Sequence, residues 1–207
     1  MFMDRKDAGR RLAGELAKLH GERPIVVAVP RGGVIVGAEI ARVLEAPLDV
    51  VISRKIGSPY NPEVAIGAVS PDGEVMLDHR LMNAFNLEKQ DLEKEISTAR
   101  QELVRRLATY RQGRESLPWK DRTIVLVDDG IATGFTLSAT IEYVRRQQPE
   151  GIILAVPVAP AEVVEEMKKK VDELVCLIPS EEFYAVGQFY LDFSQTEDAE
   201  VLTALKQ

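Results

Sequence analysis

The residues best suited to chemistry lie together in 124-IVLVDDGIATGFT-136, where an apolar run is followed by two adjacent carboxylates and a stretch rich in Gly and Thr. An apolar strand that turns through glycines into a helix presents unpaired backbone N–H groups at the positive end of the helix dipole, and the two together hold a phosphate. Thr133 and Thr136 add hydroxyl donors, and Gly134 lets the backbone come close. Carboxylates cannot serve that phosphate, so Asp128 and Asp129 must face sugar hydroxyls, a magnesium ion, or both. A phosphorylated sugar satisfies both halves of the motif. Elsewhere reactive residue types are sparse. Cys176 has no histidine in its local sequence and is expected to be a small buried hydrophobe. His20 precedes Gly21 at a helix end, and two isolated histidines with one cysteine do not make a zinc site.

Such a motif needs a sheet edge, and the remaining sequence supplies one. Short apolar runs, 25-IVVAV-29, 48-LDVVIS-53, 123-TIVLV-127, 151-GIILAV-156 and 173-ELVCLI-178, alternate with helical patterns at 34–45, 136–147 and 160–170. Runs that are nearly all apolar rather than alternating belong to strands buried on both faces, as in a mainly parallel central sheet flanked by helices, so the fold class is α/β. Residues 5–19 predict an amphipathic helix with Leu12, Leu16 and Leu19 on one face. Between the second and third strands, 56-IGSPYNPE-63 has loop composition, and 64-VAIGAVS-70 with 74-EVMLD-78 flanks the turn 71-PDG-73 as a hairpin. A long helix is expected from Leu87 to Arg114. The organisation expected is one domain over 1–207, with an excursion at 56–116 and a C-terminal hood and tail at 179–207 folded over the sheet.

Composition sets the outer bounds. The 207 residues are 45% apolar and 29% charged, as in globular rather than disordered or fibrous chains. No apolar run approaches the roughly 18 residues of a membrane span. The charged start MFMDRKDAGRR is unlike a signal peptide, and a lone Cys176 cannot form an internal bridge, so a reducing cytoplasm is the expected compartment. With 26 Lys plus Arg against 33 Asp plus Glu the net charge is -7, which weighs against nucleic-acid binding by the whole surface. The segment from Arg100 to Arg122 is locally basic and reads as a solvated helix face, with an RNA or oligomer contact as the other possibility.

The 124–136 motif resembles the PRPP signature of the type I phosphoribosyltransferases, PRPP being 5-phosphoribosyl 1-pyrophosphate. The resemblance extends to 30-PRGG-33, at the place where that family holds the pyrophosphate, and implies that Arg31, Gly32 and Gly33 converge on an anion and that the Pro30–Arg31 bond can be cis. It also implies that Arg54 and Lys55, in the strand end 53-SRKIG-57, bring positive charge to the same sheet edge, one of the pair pointing inward. Residues 56–78 correspond to the family's flexible loop, whose closure excludes water from a reactive sugar cation, with Tyr60, Asn61 and Glu63 as candidate contacts. The segment 184-YAVGQFYLD-192 resembles the hood of hypoxanthine-guanine phosphoribosyltransferases with one extra residue before the Asp. That likeness implies a flat base against Phe183 or Tyr184 beside Val186, and Asp192 near a magnesium ion. Phe189 and Phe193 are expected to pack in the core. Two positions depart from the family. Ala132 stands where purine enzymes carry an acid that handles a ring proton, which argues against an ordinary 6-oxopurine, and Phe135 replaces a small residue.

What the resemblance implies is a Mg2+-dependent transfer of the 5-phosphoribosyl group from PRPP to a nitrogenous base with release of pyrophosphate, a step of nucleotide metabolism. Asp128, Asp129, Arg31 and Lys55 are its expected catalytic groups. Gly130, Ile131, Ala132, Thr133, Gly134, Phe135 and Thr136 are its expected phosphate anchor, and Asp128, Asp129 and Asp192 its metal-facing carboxylates. The expected partners are PRPP and a small nitrogenous acceptor, with self-association left open and no membrane. A competing expectation, from a different class, is a PRPP-sensing regulator that binds RNA, DNA or a protein partner, since the family includes such members. Both carboxylates are expected to be satisfied by solvent in the free protein, so that their loss costs ligand affinity more than stability.

Overall fold

The apolar runs assemble as expected in a computed structural model of the chain, which describes residues 1–62 and 64–206. The candidate Glu63 and the C-terminal Gln207 lie outside the described residues. In chain order the elements are α1 (Arg5–Glu15), β1 (Ile25–Ala28), α2 (Gly32–Leu44), β2 (Leu48–Val50), β3 (Arg54–Gly57), β4 (Ala65–Val69), β5 (Val75–Leu77), α3 (His79–Ala84), α4 (Glu93–Arg111), β6 (Thr123–Val127), α5 (Phe135–Arg146), β7 (Gly151–Pro160), α6 (Ala161–Met167), β8 (Glu173–Ser180) and α7 (Asp198–Ala204). They pack as two compact units, one of Met1–Val51, Glu115–Gly134 and Val144–Gln207, the other of Ile52–Arg114 and Phe135–Tyr143.

The first unit carries a five-stranded parallel sheet in the order β2-β1-β6-β7-β8. Strands β1 and β6 run side by side from Ile25↔Ile124 to Ala28↔Val127, so their C-terminal ends stand level. The chain leaves β1 through α2 to reach β2 on one side, while β6 lies on the other side of β1. Loops after two such strands part in opposite directions and leave a crevice, the usual ligand position in an open parallel sheet. Helices α1 and α2 cover one face, with Leu12, Leu16, Val36 and Ile40 packed on Val125, Val127, Ile153 and Ala155. Each large apolar side chain buried in this way contributes about 1.5–3 kcal/mol. Asp4 starts α1 by accepting the Asp7 N–H at 2.7 Å. On the edge strand β2 the buried Asp49 is satisfied by the Leu117 N–H and the Trp119 indole N–H at 3.1 and 3.2 Å.

Beyond β8 a short 3-10 turn at Val186–Phe189 leads to Tyr190, which forms a parallel bridge with Phe2. The Phe2 N–H donates to the Phe189 carbonyl at 2.7 Å, and the Leu191 and Asp192 N–H groups donate to the Phe2 and Met3 carbonyls at 2.8 and 2.9 Å. The hood is thus sewn to the start of the chain. Its aromatic residues pack as expected, Phe189 and Phe193 with Phe183 around buried Phe2 and Tyr190.

The second unit holds a three-stranded antiparallel sheet, β3-β4-β5. Here the strand-end expectation for 53-SRKIG-57 is corrected. The second strand stops at Val50, and Arg54–Gly57 forms its own strand against β4, with Arg54↔Val69 and Lys55↔Ala68 paired. Ile56 gives the reason, because it is fully buried with Ile66, Val69, Leu92, Ile96 and Leu103 and needs the small sheet to cover it. The 71-PDG-73 turn is present, Gly73 adopting φ 82 with its N–H on the Ser70 carbonyl. The single helix expected from Leu87 is instead a 3-10 turn at Lys89–Leu92 followed by α4. Helix α3, capped by Asp78, was not expected. Among the described residues no helix is long and apolar enough to cross a membrane.

Candidate functional site

Two loops meet at the crevice of the first unit. The Val29 N–H still bonds the Val127 carbonyl at 2.9 Å, and the chain then passes through a cis peptide bond between Pro30 and Arg31 into α2. A side chain on Gly32 would collide with the Asp129 carboxylate and come within 2.5 Å of Arg5 Nε. On Gly33 a Cβ would lie 2.9 Å from Asp128 Cα. Only glycine lets the start of α2 lie directly on the acidic pair. Arg31 precedes that helix, half-buried, with its guanidinium 3.8 Å from the Asp198 carboxylate.

The carboxylates are not left to solvent, which corrects the expectation above. Asp128 Oδ1 accepts the Asp129 N–H at 2.8 Å. Burial first, and then the charge of Asp129, push the Asp128 carboxyl well above its ordinary range. Asp129 Oδ2 is paired with Arg5 Nε at 2.7 Å, the two side chains only 18% and 12% exposed. Its carbonyl accepts the Tyr190 hydroxyl at 2.6 Å. Burial, and behind it Asp129, raise the pKa of that phenol. Two successive carboxylates at a sheet edge need a counter-charge, and α1 delivers it. Sequence reasoning missed Arg5 altogether and passed over Tyr190. Arg5 lies 124 positions from its partner and carries no local signal, whereas Tyr190 lies inside 184-YAVGQFYLD-192.

In the loop that follows, Ile131 is buried and its N–H donates to the Val158 carbonyl at 2.9 Å, while Ala132 and Thr133 are exposed. Gly130 lies against Val186, which a side chain there would strike. Gly134, at φ 72, is the N-cap of α5 and brings no side-chain acceptor to the first-turn amides. Phe135 and Thr136 open that helix and belong to the second unit. In the hood, Phe183 stacks on Phe189 at 5.6 Å, whereas Tyr184 is 89% exposed. Asp192 is exposed and accepts the Ser194 N–H at 2.9 Å, which lowers its pKa. It lines a cavity of about 160 Å³ with Arg5 and Thr196.

The first unit therefore brings together Arg31, Gly32, Gly33, Asp128 and Asp129, and sets Val186 on Gly130. In the second unit Arg54 points inward, half-buried with an unpartnered Nε, and burial followed by Arg106 lowers its pKa. Lys55 is exposed on the same strand, and both residues belong to the antiparallel sheet of the second unit, not to an end of the parallel sheet. Tyr60 is exposed, and the Asn61 carbonyl accepts the Val64 N–H. The basic face of α4 is engaged within the unit. Arg105 and Arg106 both bond Glu102, whose pKa they pull down to about 2, and Arg100 bonds the Gly73 carbonyl. Half-buried Cys176 has its thiol pushed up to about 11 by burial.

No group of three or more His, Cys, Asp or Glu side chains suited to a metal occurs among the described residues. Mg2+ rarely needs one, because it keeps several waters and binds one or two carboxylates together with substrate phosphates. Asp128 and Asp129 fit that mode, held in place beside an anion-receptive loop.

The family model described as "Phosphoribosyl transferase domain" matches residues 3–194. A Mycobacterium tuberculosis protein provisionally named a phosphoribosyl transferase is 42% identical over 205 residues, which are 99% of this chain and 46% of that protein. The chain thus spans about half the length of the curated relatives it matches. The crystal structure of TT1426 from Thermus thermophilus superimposes with a TM-score of 0.83 at 42% identity, covering 99% of this chain and 97% of that one. A Neisseria gonorrhoeae protein of hypothetical standing, solved with bound ppGpp, shares the fold alone, with a TM-score of 0.51 at 9% identity over 100% and 97% of the two chains.

Proposed function

The chain belongs to the phosphoribosyltransferase family, and we propose that it moves the 5-phosphoribosyl group of PRPP to a nitrogenous base with release of pyrophosphate. The observation that carries this is the direct contact of Gly32 and Gly33 with Asp128 and Asp129, which unites an anion-receptive helix start with a carboxylate pair. Arg31 and the first amides of α2 receive the pyrophosphate, and the loop from Gly130 through Thr136 receives the 5-phosphate. Binding energy from that remote phosphate positions the reacting carbon. As the bond from ribose C1 to pyrophosphate oxygen breaks, its electron pair leaves with pyrophosphate and positive charge grows on the sugar. Asp128 and Asp129 hold the ribose hydroxyls and stabilise that charge, while the acceptor nitrogen bonds to C1 and its proton passes to the departing pyrophosphate or to solvent. Mg2+ held by the same two carboxylates and the pyrophosphate would neutralise the leaving group. Roles for Lys55 as a further cation and Asp192 as a further metal-facing carboxylate rest on family resemblance alone.

The acceptor is a planar nitrogen heterocycle received beside Val186 by Tyr184, whose ring is free, or by Phe183. Ala132 offers no acid to the ring, which favours an acceptor other than hypoxanthine or guanine. Engagement of α4 arginines within their own unit supports the enzyme over a nucleic-acid-binding regulator. The cytoplasm is the proposed compartment, on the reduced state expected of lone Cys176.

Calorimetric titration of PRPP with Mg2+ tests the site. Wild type should bind and Asp128→Asn/Asp129→Asn should not, and equal affinities would overturn the assignment. A panel of bases and nucleoside monophosphates, screened by thermal shift and then by turnover, identifies the acceptor. Robust hypoxanthine or guanine turnover would refute the inference from Ala132, and salt-sensitive nucleic-acid binding without turnover would favour the regulator.

A further inference from the structure

One guanidinium holds three things at once. Arg5 Nε donates to Asp129 Oδ2 at 2.7 Å, an Nη donates to the Ser194 carbonyl at 2.7 Å, and the guanidinium Cζ lies over the Phe193 ring, 3.9 Å from its centre. The side chain is 12% exposed, in a position that Gly32 leaves open at the start of α2. Tyr190 adds a second link, its hydroxyl on the Asp129 carbonyl. Residues 190–194 of the hood are therefore tied to Asp129 at both its carboxylate and its carbonyl, and the bridge to Phe2 fixes the same segment to the chain that leads into α1. Arginine suits this task because its planar fork presents several donors in fixed directions and stacks on an aromatic face. A lysine point charge could neutralise Asp129 but could not span to the hood.

We propose that Arg5 is a positioning residue that couples the acidic pair to the hood, so that a ribose held by Asp128 and Asp129 orders the segment that receives the acceptor. The inference rests on the phosphoribosyl reading of that pair. When the ligand engages Asp129, Arg5 holds the carboxylate in place, and Ser194 and Phe193 hold Arg5. Substrate occupation is thereby transmitted along a contiguous set of charged and stacked contacts, within one compact unit.

Hydrogen exchange of the full chain, followed in peptides covering 183–194 with and without saturating Mg-PRPP, tests the coupling. Wild type should show slower hood exchange on binding. Arg5→Met should bind Mg-PRPP about tenfold more weakly and show no slowing even when saturated, because a charge-assisted contact and its relay are gone. Arg5→Lys keeps the charge and guards against a folding defect in the first variant. It should bind within about threefold of wild type and still lose the slowing. A purely structural role for Arg5 would raise hood exchange equally with and without ligand. That result, slowing preserved in either variant, or a wild-type hood unmoved by bound Mg-PRPP would overturn the coupling alone. Failure of the wild type to bind Mg-PRPP would overturn the phosphoribosyl reading and the coupling with it.

Discussion

Burial and the Asp129 carboxylate both raise the pKa of Asp128, so the folded chain holds a proton there more tightly than the unfolded chain does. Stability at this site is therefore full below the ordinary carboxylate range and falls as pH rises through the interval up to the raised folded value. Asp128→Asn keeps an acceptor for the Asp129 N–H and removes the ionisation. At neutral pH the variant should melt higher than wild type, each 1 kcal/mol regained being worth about 2–4 °C for a chain of this size. The difference should vanish at acidic pH, and Mg-PRPP binding should be lost. A variant that melts lower at neutral pH in calorimetry would contradict this account. The aromatic pair of the hood divides in the opposite way. Tyr184→Ala should leave the melting temperature unchanged, since the ring is 89% exposed, yet lower turnover with the accepted base. Phe183→Ala should cost about 1–3 kcal/mol through loss of packing and of its stack on Phe189. Unaltered turnover in both variants would exclude stacking as the means of base binding.

Strands and helices matter here through the ends they bring together. Gly32→Ala places a methyl group into the Asp129 carboxylate and against Arg5, so α2 must shift off the acidic pair. Destabilisation by about 2 kcal/mol or more and loss of Mg-PRPP binding are expected, measured by denaturant melts and calorimetry. Normal affinity in a folded variant would show that the two loops need not touch. Much of this meeting was legible in the sequence, because β1 is wholly apolar, β6 is apolar after Thr123, and the two loops follow them directly. Strand β3 was not, since 54-RKIG-57 offers a single fully buried apolar residue, Ile56, and continues without a break in composition from an apolar run. Nor was the Arg5–Asp129 pair, whose cause is the folding of α1 onto the sheet and not any local pattern. The expected long helix opens instead as a 3-10 turn at Lys89–Leu92, where the Asp91 carboxylate accepts the Glu88 N–H at 2.7 Å, while Leu92 is buried with Ile96 and Leu103 on the face its periodicity indicates.

Across the whole chain, burial sorts the elements into different classes of stability. Residues Ile124–Val127 and Ile152 with Leu154 and Ala155 are fully buried in interior strands, each hydrogen-bonded to neighbours on both sides. Exchange of such amides requires unfolding of the unit as a whole. Strand β5 is half-exposed at the edge of a three-stranded sheet, paired on one side only, and can open without disturbing the parallel sheet of the first unit. Native-state hydrogen exchange should therefore find the slowest amides in β6 and β7 and markedly faster ones in Val75–Leu77. Mg-PRPP at a hundred times its Kd adds about 2.7 kcal/mol to the folded state, enough to slow globally exchanging amides roughly a hundredfold, while amides released by local opening keep their rates. A uniform slowing of β5 and β6 would show that the small sheet opens only with the rest of the molecule, and no slowing of β6 would show that the crevice beside it is not where the ligand binds.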